Sequence, residues 1–126
     1  MNPNELSGAI IVAAIEVHRE LGGPGLIESI YEEALVHELS SQGMRVDRQV
    51  PVQIAYKGTN LATPLRIDLL VDDTIIIELK AVEQLSAVSR SQLLTYLRLA
   101  DKRLGLLINF GERLVKDGIH RVVNHL

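Results

Sequence analysis

The chain of 126 residues contains no cysteine, and aromatic residues make up 3% of it. Without thiols there is no disulfide, no zinc–thiolate centre and no cysteine nucleophile. So few aromatic rings give little support to a base-stacking platform of the single-strand-binding kind. No apolar run approaches the ~18 residues of a membrane span, and the N-terminus has no basic stretch followed by a long apolar core. The expectation is therefore a cytoplasmic protein with no membrane partner. Positive charge is not in excess either. A net charge of −3 and a pI near 5.8 argue against a protein that coats nucleic acid nonspecifically. An enzyme that holds metal ions with its own carboxylates would show the same sum. Low-complexity segments, internal repeats and linkers are also missing, and the length suits one domain, residues 1–126.

Hydrophobic residues make up 47% of the chain and charged residues 23%, the balance of a globular protein. Leu6, Ile10, Ala14, Val17 and Leu21 recur at three- and four-residue intervals and predict a helix over about 4–21, capped by Asn4 or Ser7. His18 lies on its flank as a partly buried structural histidine. Gly22-Gly23-Pro24-Gly25 breaks the helix, and a second runs over about 27–42 to Gly43. Glu28, Tyr31 and Leu35 share a face of that helix. Glu28 there can be a favourable charge at the helix start, and Tyr31 a core residue.

A strand with an interruption at Pro51 is expected over 44–56, a turn at Lys57-Gly58-Thr59-Asn60, and a returning strand over 61–71. Ile75 to Lys80 is the next strand. A third helix covers about 89–101, Leu104 to Phe110 is a buried strand, and Lys116-Asp117-Gly118-Ile119 signals a tight turn before a short strand over 119–123. His120 and His125 are assigned no role. A helix between two strands allows a parallel crossover. The fold class is α/β: a mixed sheet with helices on both faces.

The charges within the strands are the unusual feature. Asp68 interrupts one apolar run, and Glu78 and Lys80 close the next. A two-residue loop at Asp72-Asp73 would set Asp68 opposite Ile77. A three-residue loop, Asp72 to Thr74, pairs Val71 with Ile75 and sets Asp68 opposite Glu78, with Cβ atoms ~5 Å apart. Carboxylates that close repel unless a proton or a cation lies between them. Two oxygen ligands beside a lysine suit a hard divalent ion such as magnesium. Lys80 is expected to pair with Glu78 or Asp68. The bland alternative is an edge hairpin whose charges face water.

Gly25-Leu26-Ile27-Glu28-Ser29-Ile30-Tyr31 fits the signature GxxExxY, and the chain resembles the family of small proteins named after it, from the first helix through Leu107-Ile108-Asn109-Phe110 and Lys116-Asp117-Gly118-Ile119. That family is placed in the PD-(D/E)xK nuclease superfamily, with an αα-βββ-α-β core. The resemblance implies a Mg2+ (or Mn2+) site built by Glu28, Asp68 and Glu78, with Lys80 completing the catalytic set. Gln92 and Tyr96 resemble the Gln-xxx-Tyr helix motif of the exonuclease branch attached to recombination helicases. With Tyr31 and Arg66 they are expected to touch substrate; Arg90 and Arg98 are further candidates for phosphate contacts. Gln92 has a structural alternative, since Ser89-Arg90-Ser91-Gln92 is a capping-box pattern. Ile67 stands where the motif's proline is expected, and Gly22-Gly23 lengthens the family's usual turn. The implied function is Mg2+-dependent hydrolysis of phosphodiester bonds in DNA or RNA. Its rivals are a catalytically inactive module that binds nucleic acid or regulates a partner, and a metal-dependent hydrolase of another phosphate ester. Nucleic acid is the expected partner, alongside a homodimer mate or a larger protein.

Overall fold

The computed structural model describes all 126 residues. Helix α1 (Pro3–Glu20) is capped two residues earlier than Asn4: Asn2 Oδ1 accepts the Glu5 amide at 2.8 Å, and Pro3 supplies its fixed φ at the first helical position. Asn4 and Ser7 therefore lie inside the helix. Helix α2 spans Glu28–Ser41. The remaining elements are β1 (Val46–Val52), β2 (Ala55–Tyr56), β3 (Thr59–Asn60), β4 (Leu65–Val71), β5 (Ile75–Lys80), α3 (Val88–Ala100), β6 (Leu104–Asn109) and β7 (Ile119–Val123). No helix is long and apolar enough to cross a membrane.

Five strands form a mixed sheet in the order β1-β4-β5-β6-β7. Only β5 and β6 run parallel, joined by α3 as the crossover that a parallel pair requires. Pro51 is tolerated because β1 is an edge strand. After Val52 the chain leaves the sheet, and β2 and β3 form a separate two-stranded ribbon, so the long strands expected over 44–56 and 61–71 are each shorter. Val115 is drawn into the core, and a 3-10 turn (Val115–Gly118) replaces the tight turn expected before β7.

Helices cover both faces. Leu6, Ile10, Val17, Tyr31, Leu35 and Leu39 from α1 and α2 pack on Leu69, Val71, Ile75, Ile77 and Leu106. Leu93 and Leu97 of α3 pack on Ile67, Leu70, Ile76 and Leu107 of the other face. Gly105 permits that approach, because a Cβ there would lie 3.0 Å from the Leu93 side chain. Charge divides along the chain as well. Residues 1–44 hold seven glutamates and one arginine, a net −6, whereas residues 84–126 hold seven lysines and arginines and three acids, a net +4.

One level of the sheet is irregular. Arg48 pairs with Leu69 and Val50 with Ile67, but no pair joins Gln49 to Asp68, and Gln49 has φ +49°. The β4–β5 ladder ends at Leu69↔Ile77, just short of the same level. Residues two apart in a regular strand share a face. Here Leu69 lies on the α1/α2 side and Ile67 on the α3 side, and Val46 and Val50 divide likewise. Both strands roll over at Gln49 and Asp68.

Candidate active site

Asp68 stands at that irregular level. The loop Asp72–Thr74 pairs Val71 with Ile75, and the same register carried onward sets Asp68 level with Glu78. Asp72 and Asp73 adopt the left-handed region (φ +50° and +53°), Asp72 Oδ1 accepts the Arg45 amide at 2.8 Å, and the Thr74 hydroxyl donates to Asp72 O at 2.8 Å. Where the ladder stops, side chains replace it. The Asp68 amide donates to Glu78 Oε1 at 3.2 Å, and the Leu79 amide donates to Asp68 Oδ2 at 2.9 Å. Each carboxylate thus satisfies a backbone donor of the facing strand, and the two acids are held side by side.

The pair is electrostatically loaded. Glu78 is 8% exposed, and its carboxyl is pushed up to about 8, by burial first and by the Asp68 charge next; the Asp68 amide and the Lys80 charge pull it back down. Near neutral pH the pair therefore holds a proton that a separate glutamate would have lost.

Glu28 is the first residue of α2. The surface around it and then the Asp68 charge raise its carboxyl above the ordinary value, and the Lys80 charge opposes them. It stands in the field of the pair without joining it: no three His, Cys, Asp or Glu side chains come close enough to share an ion. Of the three carboxylates expected to share an ion, Asp68 and Glu78 are held together, while Glu28 is exposed at a helix end and feels the Asp68 charge. Lys80 is half-buried and forms no ion pair within 4 Å, contrary to expectation; its charge reaches Glu28 and Glu78 through space.

Tyr31, expected to touch substrate, lies in the core. Its side chain is fully buried, stacked on Phe110 with ring centres 4.6 Å apart. The hydroxyl donates to Gly23 O at 2.7 Å and accepts the Leu26 amide at 3.2 Å. The ring faces the core while Glu28, three residues earlier, stays on the open side. The tyrosine of the motif ties down the loop that delivers its glutamate. His18, buried, meets Phe110 O at 3.1 Å in the structural role expected of it.

Helix α3 brings the last pair. Gln92 Nε2 donates to the Tyr96 hydroxyl at 2.8 Å. The helix begins at Val88 with Ala87 before it, so Ser89 is not its cap and Gln92 closes no capping box. The Tyr96 hydroxyl is raised by burial and then by the Glu78 charge, and the Gln92 bond lowers it; this helix face therefore borders the acid pair. Arg66 is exposed and donates to Gln49 O at 3.1 Å.

Asn109, part of the stretch that carries the family resemblance, has a role that the sequence pattern does not assign. Fully buried, it donates from Nδ2 to Val82 O at 2.9 Å and accepts the Val82 and Gly111 amides, both at 3.0 Å. It clamps the segment that follows Lys80, whose own carbonyl accepts the Phe110 amide at 2.8 Å. A Cβ on Gly111 would fall 2.1 Å from Val82 O, so only glycine fits there. The available signal was an amide side chain ending an otherwise apolar strand and followed by Phe-Gly.

Two fixed carboxylates with a third in their field form an all-oxygen donor set, which fits magnesium or manganese rather than a softer metal. No curated protein matches the chain. Two solved chains do. One, the crystal structure of SSO0001, has a TM-score of 0.56 and 19% identity over 79% of this chain and 51% of that one, a likeness of fold in which this chain spans about half the length of the other. A family model described as the PD-(D/E)XK nuclease superfamily matches residues 4–122, which take in every residue of the site. The chain belongs to the PD-(D/E)XK nuclease superfamily.

Proposed function

We propose that this protein is a Mg2+- or Mn2+-dependent nuclease of the GxxExxY kind that hydrolyses phosphodiester bonds of DNA or RNA. The observation that carries this reading is the interlocked pair, Asp68 and Glu78, set in a sheet whose backbone amides fix both acids. A scaffold has no physical need to oppose two carboxylates and raise one of them to about 8. Asp68 and Glu78 would hold the metal ion. That ion, when bound, lowers the pKa of water and neutralises charge on the scissile phosphate. Lys80 shares a strand face with Glu78 and supplies the positive charge that orients the attacking water and stabilises the transition state. Glu28, raised above the ordinary carboxyl value, is a proton acceptor on the helix side. Gln92 and Tyr96 shape the wall on the α3 side, and Arg66 lies along the edge strand for phosphate.

The test is incubation of the pure protein with magnesium or manganese and labelled DNA and RNA. Wild type is expected to cleave, Glu78→Ala to be inactive, and Lys80→Met to lose ~10² or more in turnover while still binding metal. Manganese should also raise the melting temperature of wild type, by linkage worth ~2.7 kcal/mol at a hundredfold excess over Kd, and leave Asp68→Ala unmoved. Cleavage by Lys80→Met at the wild-type rate would make the lysine a structural counter-ion. Binding of nucleic acid without cleavage would replace the enzyme by a binding module.

A further inference from the structure

We infer that Glu32 is a positioning residue: through Gln49 it holds open the break in the sheet at which Asp68 and Glu78 meet. The inference rests on the nuclease reading for its consequence, namely that the pair so placed can take a metal ion.

Glu32 lies one helical turn after Glu28 and is 7% exposed, yet none of the chemistry above uses it. Buried acids occur where their oxygens are occupied, and both of these are. Oε1 accepts Gln49 Nε2 at 2.8 Å, and Oε2 accepts the Arg48 guanidinium at 3.3 Å. The place where these bonds land gives Glu32 its role. Gln49 has φ +49°, a left-handed conformation that a side-chain-bearing residue rarely keeps unless something holds it. It also marks the one level between Val46 and Val52 at which β1 and β4 do not pair, and the residue facing it there is Asp68.

A chain of consequences follows. Glu32 fixes the Gln49 side chain, Gln49 keeps its turned backbone, and β4 rolls over at Asp68. The roll leaves Asp68 outside both ladders, so that its amide meets Glu78 and its carboxylate meets the Leu79 amide. Arg66, which donates to Gln49 O, fastens the same kink from β4. Were Gln49 free to become extended, β1 and β4 could pair straight through this level. Ile67 and Leu69 would return to one face, and the Asp68 carboxylate would swing off the Leu79 amide.

Glycine adopts φ +49° without penalty and alanine does not, which provides the test. Amide hydrogen exchange at Asp68 and Leu79, followed by NMR, reports the interlock; calorimetric titration with Mn2+ reports its use. Glu32→Ala and Gln49→Ala are each expected to speed exchange at these two amides relative to Ile76 and to weaken Mn2+ binding by about tenfold to a hundredfold, the range for residues that orient metal ligands. Glu32→Gln, which still offers an acceptor to Gln49, should lose less. Gln49→Gly alone should keep wild-type exchange at Asp68 and Leu79, and Glu32→Ala/Gln49→Gly should recover both readouts. Unchanged exchange in Gln49→Ala, or failure of glycine to rescue, overturns the proposal; if Glu32→Ala does not fold, the Gln49→Ala and Gln49→Gly pair decides alone. A wild type that binds no Mn2+ and cleaves nothing removes the nuclease reading instead, and the exchange data still judge the brace.

Discussion

On the α1/α2 side of the sheet nineteen buried residues form one cluster, whereas the α3 side gathers six. The thick side contains Tyr31 stacked on Phe110, and with it the loop that leads to Glu28. The thin side ends at Gln92, exposed, and Tyr96, half-buried, beside the acid pair. Dense packing backs one face of the sheet, and the other face stays open beside the acid pair. Stability and access are separated across a single sheet.

Substitutions can break or sharpen that contrast. The largest effect is expected from Tyr31→Ala, which empties a fully buried ring site: ~3–5 kcal/mol lost in denaturant unfolding. A loss below ~1 kcal/mol would show that the thick side does not anchor the frame. Next comes pH, in metal-free protein. The folded Glu78 carboxyl keeps its proton up to about 8, and an unfolded one loses it near 4.5. Between those values the folded state binds more protons, so stability falls as pH rises, by at most ~1.4 kcal/mol per unit. Below 4.5 this group contributes no slope. Glu78→Gln should flatten the profile, as read from urea midpoints across the range, and an unchanged slope would remove the proton from the pair. The smallest effect belongs to the thin side. Gln92→Ala should cost under ~1 kcal/mol while moving the Tyr96 hydroxyl further up, since its bond to Gln92 is what lowers it. An ultraviolet titration of the tyrosines measures the shift.

The layers and the order of strands could be read from the sequence because they follow from periodicity. So could the level at which Asp68 and Glu78 stand, since the length of the Asp72–Thr74 loop sets that register. Other features depend on contacts distant in the chain. The fate of Tyr31 was ambiguous because a tyrosine three residues after a glutamate fits both a cleft and a core; the carbonyl of Gly23 and the ring of Phe110 decide it. Gln92 had two chemically reasonable partners, Ser89 and Tyr96, and the start of α3 at Val88 chose between them. The kink at Gln49 leaves no local trace, for it is held by Glu32 seventeen residues away. Asn109 offered only its oddity, since its partner Val82 precedes it by twenty-seven residues.

The uneven distribution of charge along the chain bears on how the molecule would meet a polyanion. The acids are concentrated in space as well: Glu16, Glu20, Glu33 and Glu38 line one cleft between α1 and α2, whereas Arg113, Lys116 and Arg121 of the basic segment lie elsewhere around α1. A nucleic acid approaching in dilute salt would be turned away by that acidic cleft and drawn to the surfaces that carry the basic residues. The encounter would select an orientation before any contact forms, at distances up to the ~10 Å screening length of 0.1 M salt. Added salt should then slow productive association more than the modest net charge of −3 suggests.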